Sequence, residues 1–88
     1  MNKIERDRNR ANEKRRILDI YKVNKGCIDC GYSLNADALE FDHILGTKLR
    51  TVSAMCYSAW PRVWAEIAKC EIRCANCHAI ITKQRLRV

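Results

Sequence analysis

No stretch of this chain approaches the ~20 consecutive apolar residues that a membrane span requires. Its start, Met-Asn-Lys-Ile-Glu-Arg-Asp-Arg, has none of the apolar core of an export signal. The first absence argues against a membrane protein, and the second points to a cytoplasmic, intracellular one. Disulfides do not persist in that compartment, so the six cysteines read as metal ligands plus buried thiols. Internal repeats and low-complexity tracts are also missing. Histidine is scarce, occurring only as His43 and His78.

The 88 residues leave room for one small domain. Below roughly 70–80 residues a core usually needs a staple. The first two dozen residues are mostly polar, so the part able to form a core is shorter still, and a structural metal is expected on energetic grounds. Against 10 Asp and Glu stand 17 Lys and Arg, a net charge of +7. Such a balance favours a polyanion, with nucleic acid the default partner. The excess lies between Lys3 and Lys25 and again at Lys83, Arg85 and Arg87, while the middle is nearly balanced.

Residues 2–16 carry only Ile4 and Ala11 as apolar side chains, a composition that permits a helix but gives it no face to bury. A solvated helix lying on a polyanion and a disordered arm both fit. Ile17, Leu18 and Tyr21 then fall at helical spacing and should dock the second half on the domain, ending at Lys25-Gly26. Leu39-Glu-Phe-Asp-His-Ile44 alternates apolar and polar, as a half-buried strand does, until Gly46 breaks it. Residues 47–58 are mixed, with Ser53 or Ser58 available as helix caps. A helix follows from about Ala59 to Lys69, with Pro61 tolerated in its first turn. Trp60, Val63, Trp64 and Ile67 form its apolar stripe, which reads as core rather than as a base-stacking platform. Cys70–Arg73 is the return strand, and Cys74 to about Arg87 is the closing helix.

Cys27-Ile-Asp-Cys30-Gly31 and Cys74-Ala-Asn-Cys77 place four thiols in two pairs, the pattern of a closed tetrahedral zinc site. Gly31 can take the positive φ that follows the second ligand of such a knuckle. The segment from Gly31 to Arg73 is longer than the ~15–20 residues of a compact ribbon, so it must fold as its own unit and return. Cys56 and Cys70 have no partner at ligand spacing and read as small buried hydrophobes. Cys74-Ala-Asn-Cys-His78 also matches the attachment pattern for c-type haem, but that chemistry requires export and would leave Cys27 and Cys30 without a use. On a helix Cys74 and Cys77 share a face, whereas His78 is rotated by ~100° from Cys77. With zinc satisfied by sulfur, His43 and His78 are both free for other chemistry.

These pieces taken in order (Cys27-Ile-Asp-Cys30-Gly31, Glu40-Phe-Asp-His-Ile44 with Gly46 and Lys48, Glu66-Ile-Ala-Lys-Cys70, and Cys74-Ala-Asn-Cys-His78) resemble a small zinc-stabilised HNH endonuclease of the ββα-metal type, similar to those of phages. The resemblance covers roughly residues 25–85. It implies an α+β domain over 25–88, with an inserted helix between the two strands, preceded by a basic helix or arm over 1–24. It further implies one structural Zn2+ on Cys27, Cys30, Cys74 and Cys77, with His43 as general base. One catalytic divalent cation, Mg2+, Mn2+ or similar, is expected on Asp42 and His78. The central Asn of the family has no counterpart between His43 and Cys74; Thr51, Ser53, Glu66 and Lys69 are the candidates for its task of tying down the loop behind the base. On a regular strand Asp42 and His43 face opposite sides, so one site can use both only where the strand ends or bulges.

The expected function is hydrolysis of DNA phosphodiester bonds, by nicking or double-strand cleavage, with Arg8, Arg15, Arg16, Lys48, Lys83 and Arg85 contacting DNA. The alternative is a non-catalytic zinc-knuckle nucleic-acid-binding module, which would have no use for the Asp42, His43 and His78 set. Cutting both strands requires two sites, through a homodimer, a larger phage or host nuclease assembly, or sequential nicks. The setting that the resemblance implies is the interior of a phage's host cell.

Overall fold

Asn2 starts the first helix, α1 (Lys3–Lys25): its side chain accepts from the Glu5 amide at 2.8 Å, and Glu5 places a carboxylate in the positive first turn. The computed structural model describes residues 1–87; Val88, the expected end of the nuclease domain, lies outside them. Residues 2–16 are thus helical, with Ala11 fully buried. The face around it lies against the 56–60 segment, where Arg15 donates to the Cys56 sulfur at 3.1 Å and the Lys14 ammonium stands 5.3 Å from the Trp60 ring. Leu18 from the second half sits in the core, Ile17 and Tyr21 are half-buried, and Ile20 faces solvent. The helix stops at Gly26, whose φ of 69° favours glycine, and an added Cβ would stand 3.4 Å from Tyr32 O.

A short 3₁₀ turn (Ala36–Ala38) leads into β1 (Leu39–His43). After a loop and a second 3₁₀ turn (Val52–Met55) come α2 (Trp60–Ile67), β2 (Cys70–Cys74) and α3 (Ala75–Leu86). The architecture is α+β, with three α-helices and a two-stranded antiparallel sheet among the described residues, and α2 stands between the strands in chain order. Cys74 both ends β2 and caps α3, its sulfur accepting from the Cys77 amide at 3.4 Å.

Neither serine caps α2. Its N-cap is Ala59, without a side-chain bond. Pro61 in the first turn has no amide to offer, and the Arg62 and Val63 amides already bond to Ala59 O, so a capping side chain would find little to accept from. The helix runs from Trp60 to Ile67, short of the expected Ala59 to Lys69, and of its apolar stripe Val63 and Ile67 are buried, Trp60 is half-buried and Trp64 exposed. The two indoles stack at 5.4 Å, and Tyr21 meets Trp64 edge-on at 5.5 Å.

The register pairs Leu39 with Cys74, Glu40 with Arg73, Phe41 with Ile72, Asp42 with Glu71 and His43 with Cys70. Cross-strand partners share a face, so the hairpin has an apolar side (Leu39, Phe41, Cys70, Ile72, Cys74) and a charged side (Glu40, Asp42, Glu71, Arg73). The apolar side joins two buried clusters, one of Leu18, Val52, Met55, Val63 and Ile67, the other of Cys27, Leu39, Ile72 and Cys74, with Tyr21 and Phe41 packed against both. Leu39 is fully buried there. Leu39→Ala should therefore cost about 2–5 kcal/mol. At about 4–8 °C per kcal/mol for a domain of this size, thermal denaturation reads it directly; an unchanged melt would contradict the packing.

Candidate functional site

The knuckle that carries Cys27 and Cys30 is shaped by backbone bonds: Cys27 N to Tyr32 O and Gly31 N to Cys27 O, each 2.8 Å. Gly31 takes a φ of 79°, as its position after the second cysteine requires. Ile28 N bonds to Ile72 O at 2.8 Å and ties the knuckle to β2, which delivers Cys74 and, one turn into α3, Cys77. The four sulfurs all lie within 4.8 Å of one another. A tetrahedral ion with Zn–S bonds of ~2.3 Å needs sulfurs about 3.8 Å apart, and Cys30 and Cys74 are 3.7 Å apart. Burial raises the Cys27 thiol, but the backbone amides of Cys74, Cys30 and Asp29 outweigh it and bring the pKa down to about 6. The Cys77 thiol is pushed up to about 12 by its hydrogen bond to Cys74, by burial and by the other sulfurs. Four sulfurs this close do not all ionise by themselves, and a bound cation would make them do so, with release of protons. Donor type, number and spacing all fit a structural metal such as zinc. Cys56, buried, and Cys70, half-buried, stay outside this cluster; burial pushes the Cys70 thiol up to about 11.

A second constellation occupies the charged side of the hairpin, where α3 crosses it. His78 is the residue after Cys77, and helical rotation aims it away from the sulfurs at β1. Its Nδ1 lies 2.7 Å from Glu40 Oε1 and its Nε2 3.3 Å from Asp42 Oδ1. Asp42 is buried and takes Arg73 Nη1 on Oδ2 at 2.6 Å, while Arg85 Nη1 and Nη2 reach Oδ1 and Oδ2 at 3.1 and 3.0 Å. Burial would raise the Asp42 carboxyl, but Arg85 and then Arg73 outweigh it and hold it below the usual carboxylate range. Asp42 is therefore anionic throughout the neutral range. Arg73, itself buried, also pairs with Asp29 at 2.8 Å and Glu71 at 3.1 Å. It joins the cysteine knuckle to the strand that carries Asp42.

His43 points to the other side. Its Nε2 lies 2.8 Å from Oε2 of Glu66, a fully buried residue of α2. Glu66 also accepts from the Leu49 amide at 3.1 Å and from Lys69 Nζ at 2.9 Å. The Lys69 bond leads, against burial, in holding the Glu66 carboxyl down to about 2, with Leu49 and His43 adding to it. The Ile44 and Leu45 amides bond to Lys69 O, and Lys69 Nζ bonds to Thr47 O at 2.7 Å. The loop behind His43 is thus clamped by Glu66 and Lys69, two of the four residues expected for that task. Thr51 and Ser53 make no side-chain hydrogen bond among the described residues.

No known protein family, curated protein or solved structure matches this chain. The geometry alone speaks. Asp42 and His78 come together, whereas His43 diverges from them at the last residue of β1. All six expected DNA-contacting residues are exposed, and Arg8, Lys48 and Lys83 make no side-chain bond among the described residues. Arg15 also bonds to Asn12, Arg16 is paired with Glu13 at 2.8 Å, and Arg85 is engaged on Asp42. Lys22, Lys48, Thr51, Ser53, Glu40 and His78 line one pocket of about 260 Å³. Two contributors were not given a role from sequence, Glu40 and Arg73. The period of two along β1 puts Glu40 on the side of Asp42, so the signal for it was present; Arg73 needed the register. No helix among the described residues is long and apolar enough to cross a membrane.

Proposed function

We propose that the chain is a zinc-stabilised, metal-dependent DNA endonuclease or nicking enzyme of the ββα-metal (HNH) type. The observation that carries this reading is the split arrangement at the end of β1, with Asp42 and His78 on one side and His43 on the other. In-line displacement at phosphorus needs the incoming water and the departing oxygen on opposite sides of the phosphorus. His43 is the last residue of β1, so a phosphate lying across the strand end would have the base on one side and the Asp42 and His78 pair on the other.

His43 takes a proton from water as the water oxygen attacks phosphorus; the P–O3′ bond breaks and the departing 3′ oxygen takes a proton from a solvent water, leaving 5′-phosphate and 3′-hydroxyl ends. Asp42 and His78 are the residues that would hold the divalent cation, and their 3.3 Å Nε2–Oδ1 separation suits two ligands of one ion with bonds of about 2.1 Å. When bound there, that ion supplies positive charge to the pentavalent phosphate and the departing 3′ oxygen. Glu40 holds Nδ1 of His78, so that Nε2 faces Asp42. Lys48, exposed beside His78 in the same pocket, would contact a flanking phosphate, whereas Lys22 in that pocket is held on Leu39 O. The four-cysteine cluster carries the structural Zn2+ and fixes the start of α3, and with it His78.

One observation favours a second reading, a nucleic-acid-binding module without chemistry. Asp42 is already paired with Arg73 and Arg85 and needs no cation for charge balance. Supercoiled plasmid incubated with zinc-loaded protein and Mg2+ or Mn2+ distinguishes the two. Nicked or linear product that disappears with EDTA is the expected result. Intact plasmid under every divalent ion, together with a gel shift, would establish the binder instead.

A further inference from the structure

We propose that Glu66 is the positioning residue of His43 and fixes Nδ1 as the ring nitrogen that takes the proton from the attacking water. This rests on the nuclease reading for its catalytic half only. Glu66 is a poor candidate for an ordinary surface carboxylate: its side chain is 2% exposed, on a helix otherwise buried through Val63 and Ile67. Both its oxygens are used. Oε1 takes Lys69 Nζ, and Oε2 takes the Leu49 amide and faces His43 Nε2.

An ionised carboxylate only accepts hydrogen bonds, and Lys69 and the Leu49 amide keep Glu66 ionised. The nitrogen 2.8 Å from it must then carry the hydrogen. In a neutral imidazole the other nitrogen, Nδ1, holds the lone pair. No group among the described residues hydrogen-bonds Nδ1, and it is not sealed from solvent. The His43 side chain is 12% exposed, so one edge of a largely buried ring remains for a water. The clamp on the 44–49 loop adds to this by holding the backbone beyond His43 against Lys69. A buried carboxylate that orients an imidazole base through its far nitrogen is the logic of the Ser-His-Asp triad, here built from a strand end and a helix.

The simpler reading is that Glu66 staples the loop through Leu49 and Lys69, and that His43 merely lies beside it. Nitrogen-15 NMR of the imidazole rings, at a pH where they are neutral, separates the two without any variant. The expected result for His43 is the tautomer with the hydrogen on Nε2, in direct correlation with that nitrogen. A hydrogen on Nδ1, or an even mixture, would overturn the proposal. Glu66→Gln then removes the obligate acceptor while keeping size and shape, since the amide can turn either group to Nε2. A mixed His43 tautomer is expected, with plasmid nicking kcat reduced at least about tenfold and the apparent KM for DNA nearly unchanged. Wild-type tautomer and kcat in a folded, zinc-loaded Glu66→Gln protein would also overturn it. Should the unsubstituted protein cut nothing, the nuclease reading fails, and the tautomer spectra still decide whether Glu66 positions His43.

Discussion

Cys77→Ser should leave the chain unfolded at ambient temperature, and chelation of the metal should do the same to the unsubstituted protein. A structural Zn2+ contributes about 10–16 kcal/mol of apparent binding free energy at neutral pH in small zinc domains. The whole net stability of an ordinary domain is about 5–15 kcal/mol, so nothing here is large enough to absorb the loss. Cys27 and Cys74 belong to the buried cluster of Leu39 and Ile72. Losing the ion thus leaves sulfurs that share one small volume inside the core, and frees both the knuckle and the start of α3. Metal content by mass spectrometry, with circular dichroism before and after EDTA, measures both effects. One tightly held zinc per chain is expected, with helicity falling as it leaves. A soluble Cys77→Ser protein with the unsubstituted melt would rule out a structural site. Cys56→Ala is the useful contrast, since Cys56 is buried but stands outside the sulfur cluster; it should cost only the usual about 0.5–3 kcal/mol of a point substitution.

The order of elements after Lys25 was legible because the chain writes it in period and spacing. Alternation marks β1, and the stripe of Val63 and Ile67 marks α2. Paired cysteines at ligand spacing name the ends that must meet. What a single sequence does not carry is register. Arg73 could have faced either side of the sheet, and only its position opposite Glu40 lets it bridge Asp29, Asp42 and Glu71. The first half of α1 had no apolar face, so a solvated helix and a disordered arm were equally compatible with it. Two local details decide for the helix, the Asn2–Glu5 cap and the one small residue, Ala11, that lets the helix approach the 56–60 segment. Trp60 and Trp64 were expected in the core because aromatic stripes usually are. An eight-residue helix buries little more than its central face, so these indoles end up stacked on each other beneath Tyr21 and Lys14. Glu66 is a different case. The sequence offered it beside Thr51, Ser53 and Lys69 for the loop behind His43 with nothing to rank the four, and what singles it out is its partners, a histidine, a lysine and an amide from a loop that folds back over it.

His43→Ala and His78→Ala should both impair plasmid nicking, but in ways that metal concentration tells apart. A general base contributes about 10²–10⁴-fold to a rate, and none of that depends on how much divalent ion is present. His43→Ala should therefore lower the maximal nicking rate by about that factor, with the Mn2+ concentration for half-maximal rate unchanged. On the proposed assignment His78→Ala removes one ligand and leaves Asp42, so an ion there would be held more weakly and the half-maximal Mn2+ concentration should rise. Excess Mn2+ should then restore part of the rate to His78→Ala and none to His43→Ala. Asp42 is a worse probe of the same point. Its replacement would leave Arg73, 8% exposed and bonded to Asp42 at 2.6 Å, with one anionic partner fewer, and removing one partner of a buried ion pair costs about 3–5 kcal/mol. A fall in activity there would mix unfolding with chemistry. His78 is 30% exposed at the side chain, and Asp42, its one buried contact, keeps Arg73 and Arg85 when the imidazole is removed, so on the proposed assignment its loss reports on the ion. Rescue of His43→Ala by metal would sink the base assignment, and an unchanged metal requirement in His78→Ala would sink the ligand assignment. The two outcomes are independent because α3 carries one residue and the end of β1 the other.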